Sequence, residues 1–218
     1  MPSQCHGYKF ILTVDENNMP TCNVEVTMAK EIALLPLFLD MFCPSKIPVI
    51  GFCSNFSIIC IHDDEVGYKF LEGWNGMIGK ELFISFADKK PRYCEKALED
   101  FSKKPSSVIS HLVNIMAMPE DDVKTSLLWK FSIVKNSRNE ILVEFDNFDG
   151  SRKAASPAFL LAMLIKEHQK VIKNETGEKP MKFGFWFLNT DSDAVNERIK
   201  AGFVEACKLL KIEHVFIE

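Results

Sequence analysis

The stretch MKFGFWFL, residues 181–188, decides how this chain is read. Phe183, Phe185 and Phe187 alternate with Trp186 and Leu188, so an extended segment here is apolar on both faces. Such a strand belongs in the centre of a sheet that is covered on both sides. Two further β-rich stretches flank it, EILVEFD at 140–146 and EHVFI at 213–217. The stretches between them carry helical periodicity. Val195, Ile199, Phe203, Ala206 and Leu210 form one apolar stripe. Ser156 is a good N-cap, and Pro157 suits the first helical position, where no N–H is needed. That helix is expected to run to about Lys173 and to stop before Thr176-Gly177. Thr190 and Asp193 form a capping-box-like pair for the last helix. The order strand, helix, strand, helix, strand predicts a C-terminal parallel βαβαβ unit, and such units bind ligands at the carboxyl ends of their strands.

Those ends are rich in acids and amides. Asp146, Asn147 and Asp149 follow the first strand; Asn189, Asp191 and Asp193 follow the second. Carboxylates on adjacent parallel strands can hold a divalent cation or orient a ribose hydroxyl. Asp146, Asp149, Asn189 and Asp191 are therefore the candidate ligand-binding residues. A simpler explanation competes with this one: Asp and Asn favour turns and helix caps for local reasons.

The N-terminal part reads as an antiparallel sheet with helices. Lys9–Val14 and Thr21–Thr27 predict a β-hairpin, with Asp15, Asn17, Asn18 and Pro20 in the turn. A helix is expected over Ala29–Phe42, with Pro36 kinking it or shifting its start. Ile47–Cys53 and Phe56–His62 predict an antiparallel pair around Ser54-Asn55. A helix is expected over Lys89–Ser102. Ser106–Met116 fits a helix or a buried strand. Leu127–Val134 and Glu140–Asp146 predict a hairpin around Lys135–Asn139. The whole reads as a mixed α/β protein. Lys135–Asn139 is too short for an interdomain linker, so one compact body over residues 1–218 is expected, with 1–135 and 136–218 as its parts.

Composition excludes several classes. Hydrophobic residues at 47% and charged residues at 26% are ordinary globular values. A net charge of −4 argues against sequence-independent binding of nucleic acid. The longest apolar run, Ile32–Phe42, is too short for a bilayer span and holds Pro36 and Asp40. Seven scattered cysteines without a secretion signal predict reduced thiols in the cytoplasm, or in the nucleus.

Cys53, Cys60, His62, Asp63 and Asp64 bring thiol, imidazole and carboxylate together, as zinc or a Cys–His nucleophile would need. No Cys-x-x-Cys or second ligand pair accompanies them, and buried cysteines usually act as small hydrophobes. No metal site is predicted. His111, His168 and His214 are isolated, and His168 reads as a solvated helix position. Gly73–Lys80 is glycine-rich but lacks the spacing of phosphate-binding loops. No cofactor is identified.

That glycine region has a context of its own. Phe56–His62, Gly73-Trp74, Ile78–Phe83, the helix after Asp88, Leu128–Ile133 and Glu140–Phe145 together resemble a PAS sensor domain over roughly residues 47–147. The resemblance implies a first strand pair, a connecting helix and a long antiparallel hairpin, with Ser106–Met116 as a strand. No cysteine stands in a flavin-attachment motif, so light sensing is not implied. The leading functional expectation is a soluble intracellular binding or regulatory protein that recognises a small-molecule ligand or a protein partner without catalysis. The alternative is an α/β enzyme acting on a small anionic or nucleotide-like substrate, with a divalent cation among the strand-end carboxylates.

Overall fold

The computed structural model describes residues 5–119, 122–123, 125–127, 129–188 and 192–218. The chain begins with strands β1 (Gly7–Val14) and β2 (Pro20–Thr27), then the short helices α1 (Lys30–Ala33) and α2 (Leu35–Phe42). Strands β3 (Val49–Cys53), β4 (Phe56–Asp63), β5 (Gly67–Phe70), β6 (Lys80–Glu81), β7 (Ile84–Ser85) and β8 (Arg92–Tyr93) follow. Next come α3 (Glu95–Phe101), β9 (Val108–Ile109), α4 (Leu112–Ala117), β10 (Ser132–Lys135), β11 (Ile141–Asp146) and β12 (Arg152–Ala155). Helix α5 (Pro157–Thr176), β13 (Lys182–Phe187), α6 (Asp193–Leu210) and β14 (Glu213–Ile217) complete it. The protein is of mixed α/β class.

The main sheet has the order β14-β13-β3-β4-β5, with β6 paired to β4. Strand β13 runs parallel to both β14 and β3, while β4 is antiparallel to β3. Ile50, Phe52, Ile59, Phe183 and Phe185 pack on one side of it with Leu161, Leu164 and Ile165 of α5 and Ile199 and Phe203 of α6. Val49, Cys53, Ile58 and Cys60 pack on the other side with Ile32, Leu35 and Leu39 of α1 and α2. The sheet is thus covered on both faces, and β13 is central, as its unbroken apolar run requires.

The expected C-terminal βαβαβ unit is corrected in one respect. The order of elements is as expected, but β11 is not a neighbour of β13. It lies between β10 and β12 in a separate three-stranded antiparallel sheet. The third parallel strand of the main sheet is β3, more than a hundred residues earlier in the chain. Strand β12 has no signature in the sequence, because Arg152-Lys153-Ala154-Ala155 carries no apolar alternation. It forms by pairing with β11, opposite Val143–Asp146.

Other elements differ in extent. Pro36 breaks the first helical stretch into two pieces, with Leu34 between them and the proline in the first turn of the second. The helix expected over Lys89–Ser102 is shorter, because Arg92-Tyr93 pairs with β7 instead. The strand expected from Leu127 begins only at Ser132; Leu128 lies outside the described residues. Ser106–Met116 divides between β9 and α4. Ser156 caps α5 by accepting a hydrogen bond from the Phe159 amide at 3.2 Å. Gly177 ends that helix at φ +80°, a conformation open to glycine without penalty. Helix α6 starts after Ser192, whose side chain makes no capping hydrogen bond; the proposed cap Thr190 lies outside the described residues.

The β1–β2 hairpin stands apart from all of this. Tyr8 is opposite Val26, Phe10 opposite Val24 and Leu12 opposite Cys22. Among the described residues, no side chain of either strand belongs to a core cluster. Its turn is held by Asp15, whose carboxylate accepts hydrogen bonds from the Asn17 and Met19 amides at 2.9 and 2.8 Å.

Candidate functional site

A cleft opens where the strand order of the main sheet reverses. From β3 the chain moves one way across the sheet, to β4 and β5. From β13 it moves the other way, through α6 to β14. Because β3 and β13 are parallel, their carboxyl ends lie at the same edge, and connections leave them in opposite directions. That divergence leaves a crevice, the usual ligand position in open sheets with parallel strands. The crevice has a volume of about 780 Å³. This lies within the range of small-molecule sites.

Its floor is apolar and its rim polar. Phe52 and Cys53 end β3, Phe187 ends β13, and Val113 and Ala117 approach from α4. Ser54, Asn114, Ser192, His6 and Glu31 bring polar groups to the same space. Phe187 is fixed by edge-to-face contact with Phe203, centroids 4.9 Å apart. The start of α6 borders the cleft, and the N-terminal end of a helix favours negative charge. Asp193 in the first turn already occupies part of that field.

The reactive groups around the cleft are quiet ones. Burial pushes the Cys53 thiol up to about 12, against a weaker opposing hydrogen bond with the Leu188 backbone. It is held as the thiol, which is a poor nucleophile and a poor metal ligand. The His6 ring is engaged on both nitrogens: Nε2 donates to the Met77 carbonyl at 2.9 Å, and Nδ1 accepts from the Ala29 amide at 3.0 Å.

The structure separates the predicted site residues. Asp146 ends β11 in the smaller sheet and lies 3.6 Å from the Arg152 guanidinium on the neighbouring strand. Asp149 sits in the following turn and accepts from the Ser151 hydroxyl and amide at 2.6 and 2.9 Å. Those bonds hold its carboxyl below the usual carboxylate range. Both therefore have local partners, as turn and strand-end residues do. Asn189 and Asp191 lie outside the described residues. The expected convergence of the two acidic ends required β11 and β13 to be neighbours in one sheet, and they are not. Cys60 is buried, with its thiol pushed strongly upward by burial. His62 lies 3.7 Å from Asp64. Among the described residues, no group of three metal-ligating side chains forms.

One polar cluster was not anticipated. His168 is fully buried, not solvated. Its Nδ1 donates to the Leu164 carbonyl at 2.7 Å, so Nε2 accepts from the Ser57 hydroxyl at 2.7 Å. Trp74 Nε1 donates to the Ser57 carbonyl and hydroxyl, both at 3.0 Å. The helical spacing Leu161, Leu164, Ile165, His168, Ile172 places this histidine on the buried stripe of α5, and that was the overlooked signal. Burial lowers its pKa to about 4. A serine–histidine pair usually suggests a nucleophile and its base. Here Ser57, His168 and Trp74 are all sealed from solvent, so the cluster ties β4 and the Gly73–Gly79 turns to α5. Gly79 completes that turn at φ +73°, where a Cβ would collide with the Ser57 carbonyl.

No protein-family model matches the chain, and no curated protein shows significant similarity to it. Among the described residues, no helix is long and apolar enough to cross a membrane.

Proposed function

We propose that this protein is a soluble intracellular binding or regulatory protein that holds a small ligand in the β3–β13 cleft without transforming it. The observation that carries the reading is the 780 Å³ crevice at the reversal of strand order. An apolar floor ringed by a few polar groups is how small-ligand sites are generally built. A fitting ligand has an apolar or aromatic body lying against Phe52, Phe187 and Val113. Its polar or anionic group points to Ser54, Asn114 and Ser192. Two features favour binding over chemistry. The thiol in the cleft is held protonated, and neither hydrogen-bonded serine–histidine pair, Ser57–His168 nor Ser110–His111, lines the cleft. The resemblance to PAS sensors over residues 47–147 is in keeping with a ligand-sensing role, but the reading rests on the cleft.

A native mass spectrum of the purified protein tests this. The expected result is a retained small-molecule mass that Val113→Trp removes by filling the cleft, with the circular dichroism of the variant unchanged. A bound mass that survives Val113→Trp would place the ligand elsewhere. Conversion of the released compound by fresh protein would replace a binding role with an enzymatic one.

A further inference from the structure

We infer that the β1–β2 hairpin is a dimerisation surface whose occupant is the same hairpin of a second copy of this chain. Directly opposed residues of an antiparallel pair share a face. One face of this hairpin is apolar along its whole length, from Tyr8 and Val26 at the base to Val14 and Pro20 at the tip. Tyr8, Phe10, Leu12, Val14, Val24 and Val26 are between 55% and 69% exposed. The opposite face is mostly polar, with Ile11 half-buried on it opposite Asn23: Lys9 lies 3.6 Å from Glu25, and Thr13 hydrogen-bonds Thr21 at 2.6 Å. A two-stranded hairpin of this kind is at best marginally stable in water without a layer against it. Yet this one is firmly presented. At its base His6 is hydrogen-bonded to Met77 and Ala29 and stacks on Phe56 at 5.4 Å.

The character of the face selects the occupant. It bears no charge, so it offers nothing to nucleic acid or to a charged peptide. A bilayer is a poor host, because both outer edges of the hairpin present backbone groups that lipid cannot satisfy. A second copy meets each requirement. Two sheet faces stack at about 10 Å with their side chains interdigitated. A two-fold axis through the face matches each apolar surface with itself and closes the assembly at two chains. Complete coverage of these six exposed side chains would remove on the order of 700 Å² per copy, or about 1,400 Å² for the pair, within the range of stable interfaces.

Cys22 gives a direct probe. All seven cysteines are described, and Cys22 alone is exposed. It lies on the apolar face opposite Leu12. In the dimer the two copies of Cys22 come within reach of a short bismaleimide spanning about 10–15 Å, the spacing of stacked sheets with some lateral offset. The full-length protein at tens of micromolar is expected to sediment as a dimer and to cross-link into a dimer that Cys22→Ser abolishes. Phe10→Thr with Val24→Thr keeps β-forming residues but removes the apolar centre. It should weaken association by at least about a hundredfold, as loss of central interface residues does. Lys9→Thr with Glu25→Thr, on the other face, should leave the dimer intact. The proposal is overturned by a wild-type monomer without the Cys22 cross-link, whether or not it floats with phosphatidylcholine vesicles. A dimer that survives the apolar-face pair, or dissociates equally with the polar-face pair, overturns it as well. If the apolar-face pair fails to fold, the wild-type cross-link and its loss in Cys22→Ser decide alone.

Discussion

His168 shows how a single residue ties a sheet to a helix. Its neutral ring suits the cluster, because Nε2 must accept from Ser57 while Nδ1 donates to Leu164. Protonation destroys that acceptor in a site sealed from solvent, and burial accordingly holds the pKa near 4. An unfolded histidine titrates near 6.5, so below that pH the unfolded chain binds a proton that the folded chain refuses. The stabilisation is fully present above about pH 6.5 and is lost progressively as pH falls toward 4, at up to about 1.4 kcal/mol per pH unit. Urea titrations across that range should show wild type losing more stability than His168→Gln, which has nothing to titrate. Parallel pH profiles for the two proteins would mean the ring is hydrated. The isolated histidine in the sequence concealed this, since its partners Ser57 and Trp74 lie about a hundred residues away.

At the scale of elements, β13 bears the most weight. Phe183 and Phe185 are fully buried beneath α5 and α6, and Phe185 meets Phe203 with ring centroids 5.1 Å apart. Truncating such a residue loses both its transfer energy and the packing around the cavity left behind. Phe185→Ala should cost on the order of 3–5 kcal/mol in denaturant titration. A loss below about 1 kcal/mol would mean the strand is not buried on this side. The centrality of β13 was legible, because apolar side chains at consecutive positions have no other place to go. Helix α5 was legible for a related reason: its cap, its N-terminal proline and its terminal glycine are local signals. Strand β11 was legible as half of a hairpin with β10, but its sheet was not, and β12 was not legible at all. β11 has a plausible strand sequence for either sheet, and only pairing chooses between them.

For the whole molecule, the cysteines report on enclosure. All seven are free thiols, and six are buried in or beside the core. Burial pushes the Cys53, Cys94 and Cys207 thiols up to about 12, so they stay protonated and unreactive at neutral pH. A thiol-reactive probe should modify no more than one cysteine, Cys22, in the native protein and all seven after unfolding without reductant. Protection in the unfolded chain that a reductant removes would reveal disulfides. Rapid native labelling of Cys60, which lies away from the cleft, would mean the sheet is not closed by α1 and α2.

Read residue by residue, the chain determined its class, the run of elements from α5 onward and the central place of β13. Those properties follow from periodicity, capping and turn chemistry, which act within one or two turns of the chain. Tertiary structure alone decided that β3 is the parallel partner of β13. It also decided that Asp146 and Asp149 stay with a different sheet and that the cleft forms from Phe52, Val113 and Phe187. These residues come from three distant segments, none with a chemical motif. They meet because the sheet can bury both faces of β13 only by recruiting a strand formed much earlier, and no local signal encodes which strand that is.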